Sequence, residues 1–292
     1  MQQIRMSQPF FDLLKKLTMV SKSKETVFFK SGGRCRVSVP TTATFLHVSA
    51  GPGDMDFDGD EVCVASLMEF IRFCELVGFP GNGSVSVSDE TLTNGHVYPM
   101  IKFTNGTEKT ATKTARTICA DPTRFDAKAR KVPVDRAADP LPLVATVALD
   151  REELKVMNNE LKLVPGCQFV SIVVAKNRVK IYMKGRTGQQ ITNDIPPNCT
   201  KFGAVDAIAA AYGPNVKNKY RKVPALYFTI LKGIEADYEV EIRHTGAGAK
   251  VDKIAIKGFT NIPGVDPNDP ISLYLGGVES DGAEINAESL VE

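Results

Sequence analysis

The densest group of side chains able to do chemistry is one acidic run, Asp54-Met55-Asp56-Phe57-Asp58-Gly59-Asp60-Glu61. Carboxylates spaced two apart can converge on a divalent cation, and magnesium held in this way can support nucleotidyl transfer. The Asp-x-Asp-x-Asp-Gly opening also matches the start of a calcium loop. Such a loop needs a bidentate Glu at its twelfth position, and that position here is Ala65. A run this rich in Asp and Gly reads equally as a solvated surface turn.

Nothing else in the chain has catalytic spacing. Gly185-Arg186-Thr187-Gly188 lacks the Gly-Lys-Ser/Thr ending of a phosphate loop, and there is no Gly-x-Ser-x-Gly nucleophile motif. The six cysteines (Cys35, Cys63, Cys74, Cys119, Cys167 and Cys199) are scattered and form no Cys-x-x-Cys pair. None of the three histidines, His47, His96 and His244, lies at ligand spacing from a cysteine. Reduced, buried thiols in a cytoplasmic protein are expected, with no metal and no cofactor.

The elements that must position these residues are those of an ordinary globular chain. It has 292 residues, 43% hydrophobic and 24% charged, enough for one large domain or two average ones. The formal net charge is only +2, so attraction to a polyanion must come from charge placed locally. The opening MQQIRMSQPFFDLL holds no apolar run suited to export, and no membrane-spanning run appears.

Residues 10–39 read as a helix followed by a β-hairpin, and their apolar frame returns 144 positions later without a gap. Phe10 falls on Leu154, Leu13 on Met157, Leu17 on Leu161 and Val20 on Val164. Further on, Phe28 falls on Ile172, Cys35 on Val179, Val37 on Ile181 and Val39 on Met183. The repeat is one of burial pattern rather than identity, and it argues for two domains.

Within the first copy, a helix over 7–20 carries the stripe Phe10, Leu13, Leu14 and Leu17, with Asp12, Lys15 and Lys16 opposite. A second helix over 67–77 buries Leu67, Phe70, Ile71, Cys74 and Val77 and shows Glu69, Arg72 and Leu76. Residues 107–136 read as an extended, mildly basic connector. In the second copy, Asp150 and Glu153 form a capping box that opens a helix with the stripe Leu154, Met157, Leu161 and Val164, and Arg151, Lys155 and Lys162 on its outer faces. Residues 202–212 could form an extra helix, 226–234 are strand or short helix, and the acidic tail from 277 is expected to be disordered.

Two family resemblances arise from these residues. Asp56-Phe57-Asp58-Gly59-Asp60 resembles the magnesium motif of multisubunit RNA polymerases. That family's catalytic subunit is far longer, and nothing else in the chain is similar to it. Residues 60–77, DEVCVASLMEFIRFCELV, resemble the sliding clamps of tailed bacteriophages, where a D-V-A-I-x-D-L-x-x-F-L run passes from strand into helix. Val62, Val64, Leu67, Phe70 and Ile71 match its apolar positions, and Ser66 replaces the usual acidic residue. The likeness continues through 84–87 and 120–122, and in the second half through 149–184 and 227–257. The chain is longer than typical phage clamps around 189–222 and 263–270.

The clamp resemblance implies an α+β fold of two similar domains, each with two helices packed on antiparallel sheet: 1–132 with the connector, and 133–292 with the acidic tail. It implies a non-enzymatic, ring-shaped homotrimer, free of membranes, in the cytoplasm (a host's, if viral). The ring would encircle duplex DNA without reading sequence, with a DNA polymerase and a clamp loader as partners. On that resemblance the DNA-facing residues are Lys15, Lys16, Arg72, Arg151, Lys155, Lys162 and Lys232. The alternatives are a magnesium-dependent nucleotidyl-transfer subunit using Asp56, Asp58 and Asp60, or a phage structural β-protein.

Overall fold

The computed structural model describes residues 2–20, 25–40, 45–93, 95–106, 113–124, 143–175, 178–195, 199–202, 220–234, 236–243, 253–259, 262–266 and 272–276. The chain forms two compact units, Met1–Ala137 with Asn261–Ile271, and Ala138–Thr260 with Ser272–Glu292.

Unit 1 runs β1 (Gln2–Met6), α1 (Gln8–Val20), β2 (Thr26–Ser31), β3 (Arg34–Pro40), β4 (Phe45–Ser49), β5 (Met55–Phe57), β6 (Glu61–Val64), α2 (Leu67–Val77), β7 (Gly83–Thr91), β8 (Val97–Asn105) and β9 (Thr114–Ile118). Its antiparallel strands lie in the orders β5-β1-β7-β8-β9 and β4-β3-β2-β6. Unit 2 runs β10 (Leu143–Leu149), α3 (Arg151–Leu163), β11 (Phe169–Ala175), β12 (Arg178–Lys184), β13 (Gln190–Ile195), β14 (Thr200–Phe202), β15 (Tyr220–Pro224), α4 (Leu226–Ile234), β16 (Asp237–Arg243), β17 (Lys253–Phe259) and β18 (Ser272–Gly276). Its strand orders are β14-β10-β16-β17-β18 and β13-β12-β11-β15. Among the described residues, the two units have the same element order and the same pairing. The fold class is α+β, with few helices on antiparallel sheets.

The helices form for the reasons their sequences state. Ser66 caps α2 by accepting from the Glu69 amide at 3.3 Å, and Leu67, Phe70, Ile71, Cys74 and Val77 are its buried residues. Phe70 wedges between Phe28 of β2 and Phe103 of β8, with ring centroids 5.4 and 5.6 Å away, and so ties the helix to both sheets of unit 1. In α1 the buried set is wider than the expected stripe: Phe11 is also covered, edge-on to Phe79. Asp150 and Glu153 make the expected capping box on α3. There Asn158 is buried as well, and Leu161 is only half-buried. The Asn158 side-chain amide donates to the Leu154 and Phe228 carbonyls at 2.7 and 2.9 Å, joining α3 to α4. Residues 226–234 resolve as helix, because Phe228, Leu231 and Ile234 recur at helical spacing and are all buried.

Tight turns use glycine where the backbone demands it. Gly32 and Gly33, at φ 60° and 75°, form the two-residue turn between β2 and β3. Gly264 sits at φ 88° where a Cβ would meet the Phe10 amide at 2.7 Å, and its carbonyl accepts from the Gly51 amide at 2.9 Å.

The structure adds one strand and corrects two expectations. The opening residues form β1, a strand not expected from their pattern. Within the connector, Thr114–Ile118 is β9, paired with β8. The acidic run is a solvated turn only in part: Met55–Phe57 is β5, with Met55 and Phe57 buried and Asp56 turned to Arg5 of β1 and Lys30 of β2, while Asp58, Gly59 and Asp60 form an exposed bend. Arg5 Nη2 lies 2.7 Å from Asp56 and 3.2 Å from Asp58, between the carboxylates where a bridging cation would sit. Lys30 Nζ adds a contact to Asp56 at 3.1 Å, and the Gln3 amide donates to Asp58 at 3.0 Å. The chemistry offered to magnesium is thus taken up by the protein's own cations. The expected helix over 202–212, most of the connector and the tail from 277 lie outside the described residues, except that Phe202 belongs to β14.

Truncating the wedge tests this packing. Phe70→Ala should destabilise unit 1 by about 3–5 kcal/mol, as Phe-to-Ala core changes do. Met68→Ala, at a site 48% exposed, should stay within about 0.5 kcal/mol of wild type. Equal losses in urea unfolding would contradict the assigned core. The acidic strand gives a pH signature. Hydrogen bonds from Arg5, and then from Lys30, hold the Asp56 carboxyl down at about 2. A carboxylate depressed in the folded state stabilises above its unfolded value of about 3.9, and that contribution fades as pH falls through the folded value. The pair is half exposed, so Asp56→Asn should cost no more than about 1 kcal/mol at pH 7. The gap to wild type should hold down to about pH 4 and close near pH 2. A gap that persists undiminished at pH 2 would rule out the ion pair as its source.

Candidate nucleic-acid interface

Burying one stripe of each helix leaves the opposite stripe for solvent, and there the seven expected cations lie. Lys15 and Lys16 of α1 and Arg72 of α2 line one shallow groove together with Asp12, Thr18, Met68, Ile71 and Glu75. In unit 2, Lys162 of α3 and Lys232 of α4 line a second groove with Asn158, Leu161, Cys167, Ala225 and Thr229. The equivalent helix pair of each unit therefore presents cations along its seam. Arg151 and Lys155, on the first turns of α3, are not among the residues lining that groove.

Several of the cations already have partners within the protein. Lys15 Nζ pairs with Glu75 at 2.7 Å, and this hydrogen bond raises the lysine's affinity for its proton. Lys155 reaches Glu152 at 2.5 Å, Arg151 reaches Asp237 at 3.9 Å, and Lys162 donates to Asn159 at 3.4 Å. Arg72 is exposed, with no ion-pair partner among the described residues. Across the four described α-helices, seven Lys or Arg stand beside six Asp or Glu, a net of +1. The acids Asp12, Glu69, Glu75, Glu152, Glu153 and Glu160 were legible in the sequence. Which of them meet cations was not, because the α1–α2 pairing that joins Lys15 to Glu75 is tertiary.

Such a surface can do one thing chemically. Exposed ammonium and guanidinium groups on rigid helices can contact phosphate oxygens, which carry no sequence information. No group of three or more His, Cys, Asp or Glu able to hold a metal occurs among the described residues. Cys35, Cys63 and Cys74 are buried, and burial pushes the Cys74 thiol well up and the Cys119 thiol up to about 11, which makes both poor nucleophiles. No described helix is long and apolar enough to cross a membrane.

No protein-family model and no curated protein matches the sequence. Solved structures do. Proliferating cellular nuclear antigen from Entamoeba histolytica superposes with a TM-score of 0.53 at 12% identity, over 95% of this chain and 98% of that one. A putative DNA polymerase III β-subunit from Eubacterium rectale gives 0.62 at 10% identity, over all of this chain and 68% of that one. The β-clamp of H. pylori, in complex with 5-chloroisatin, gives 0.60 at 13%, over 96% of this chain and 66% of that one. The chain thus spans about two thirds of the two bacterial proteins and nearly all of the third. At such identities the likeness is one of fold, and the fold is that of the sliding clamps.

Proposed function

We propose that the chain is the subunit of a DNA sliding clamp, a closed ring that surrounds duplex DNA and holds a DNA polymerase at the primer end. The observation that carries this reading is the clamp fold across the whole chain, with cations on the helix faces that the fold leaves open. Such a ring works by topology: tethering raises the effective concentration of the polymerase at its substrate without any new chemistry. Phosphate contacts alone suit a ring that must slide.

In this reading the domains are duplicates divided near residue 132, three copies close the ring, and a loader opens it. The length supports two domains per subunit, since it matches the Entamoeba protein end to end. Strands β9 and β13 are each paired on one side only among the described residues, so head-to-tail strand addition between copies would satisfy both edges. A bacteriophage source is the resemblance stated for residues 60–77. The nucleotidyl-transfer alternative loses its support with Arg5 between Asp56 and Asp58.

Reversing Lys15, Lys16, Lys155 and Lys162 to Glu tests the DNA-facing helices. Retention on closed circular duplex should fall at least tenfold, while the oligomer mass stays that of wild type, because these side chains point away from the core. Added salt should weaken the wild type steeply, as counterion release requires. A quadruple variant that keeps wild-type retention and mass would show that these helices do not face DNA.

A further inference from the structure

Among the acids on the helix faces, Glu75 is placed against the interest of its own helix. It lies in the last turn of α2, where unsatisfied carbonyls make the helix end negative, and no basic residue shares that turn. A carboxylate there is unfavourable unless something outside the helix uses it. Its partner is Lys15 of α1, at 2.7 Å. The Lys15 ammonium also lies 5.8 Å from the centre of the Phe11 ring, so it is held on both sides. The pair is open to solvent, with side chains 44% and 46% exposed. It lines the same groove as Lys16 and Arg72.

We infer that Glu75 is a positioning residue that loosens the ring's grip on duplex DNA by competing with backbone phosphate for the Lys15 ammonium. This rests on the reading of the α1–α2 face as DNA-facing. An exposed pair is weak, so Lys15 can leave Glu75 for a phosphate and return at little cost. The phosphate contact is correspondingly transient, as a ring that moves along its substrate requires. Removing the carboxylate frees a full cation, and each further phosphate it neutralises releases counterions and steepens the salt dependence.

The test uses the full chain and a short fluorescent duplex of mixed sequence, with binding followed by anisotropy at several salt concentrations. E75Q should bind at least roughly threefold more tightly at low salt. The slope of log affinity against log salt should steepen by about 0.9 for each additional phosphate neutralised. K15M/E75Q should lose that increase, which ties it to the ammonium. A merely structural role for the pair would alter unfolding and leave the salt slope unmoved. If E75Q matches wild type in affinity and slope while the quadruple lysine reversal weakens binding, Glu75 has no such role and the DNA-facing reading stands. If the quadruple reversal also binds like wild type, both fall together.

Discussion

The architecture depends on one constraint: each helix must bury an apolar stripe against antiparallel sheet. In unit 1 the constraint is concentrated at Phe70, which touches Phe28 and Phe103 and so fixes α2 over two sheets at once. An α-helix has two faces for this purpose, and committing one to the core dictates the residues left on the other. Lys15, Lys16 and Arg72 are surface residues because Leu14, Leu17 and Phe70 are core residues. The cationic face is therefore a by-product of packing, which explains how a fold can persist at 10–13% identity with its neighbours. Apolar character and periodicity need to be kept, and particular side chains do not.

The same logic explains what could be read from the sequence. The stripe of α2, the capping box of α3 and the paired frame of the two hairpins were legible because they depend on local spacing. The strands β1, β5 and β9 were not. In β1 only Ile4 and Met6 are apolar and buried, in β5 only Met55 and Phe57, and β9 alternates exposed with half-buried residues. Strands this short take their identity from the partner they pair with. The alternation of Met55 and Phe57 between aspartates was the available signal for β5, and the carboxylates masked it. Leu161 is only half-buried and polar Asn158 is buried beside it, because Asn158 finds the Phe228 carbonyl on α4, a partner 70 residues away. For the candidate site, the cations were legible by type and by face. Their ion partners Glu75 and Asp237 lie on other elements and were not.

Electrostatically, the helix faces are restrained. A net of +1 over the four described helices is far from the strong basic stripe of a protein that grips nucleic acid tightly. A closed ring has no need of such a stripe, since escape is barred by topology and each contact must break as the ring moves. Weakly held lysines, two of which (Lys15 and Lys155) already share their charge with a carboxylate, fit that physical requirement. They fit poorly with a protein that binds DNA as an open surface, where affinity alone would have to keep it in place.

The proposed function therefore turns on closure. Electron-microscope class averages of the purified full chain, with its mass measured in the same buffer, test it most directly. The account predicts a closed ring of three copies with a central hole wide enough for duplex DNA. A compact particle of one chain, or an assembly of any size without a hole, would contradict it.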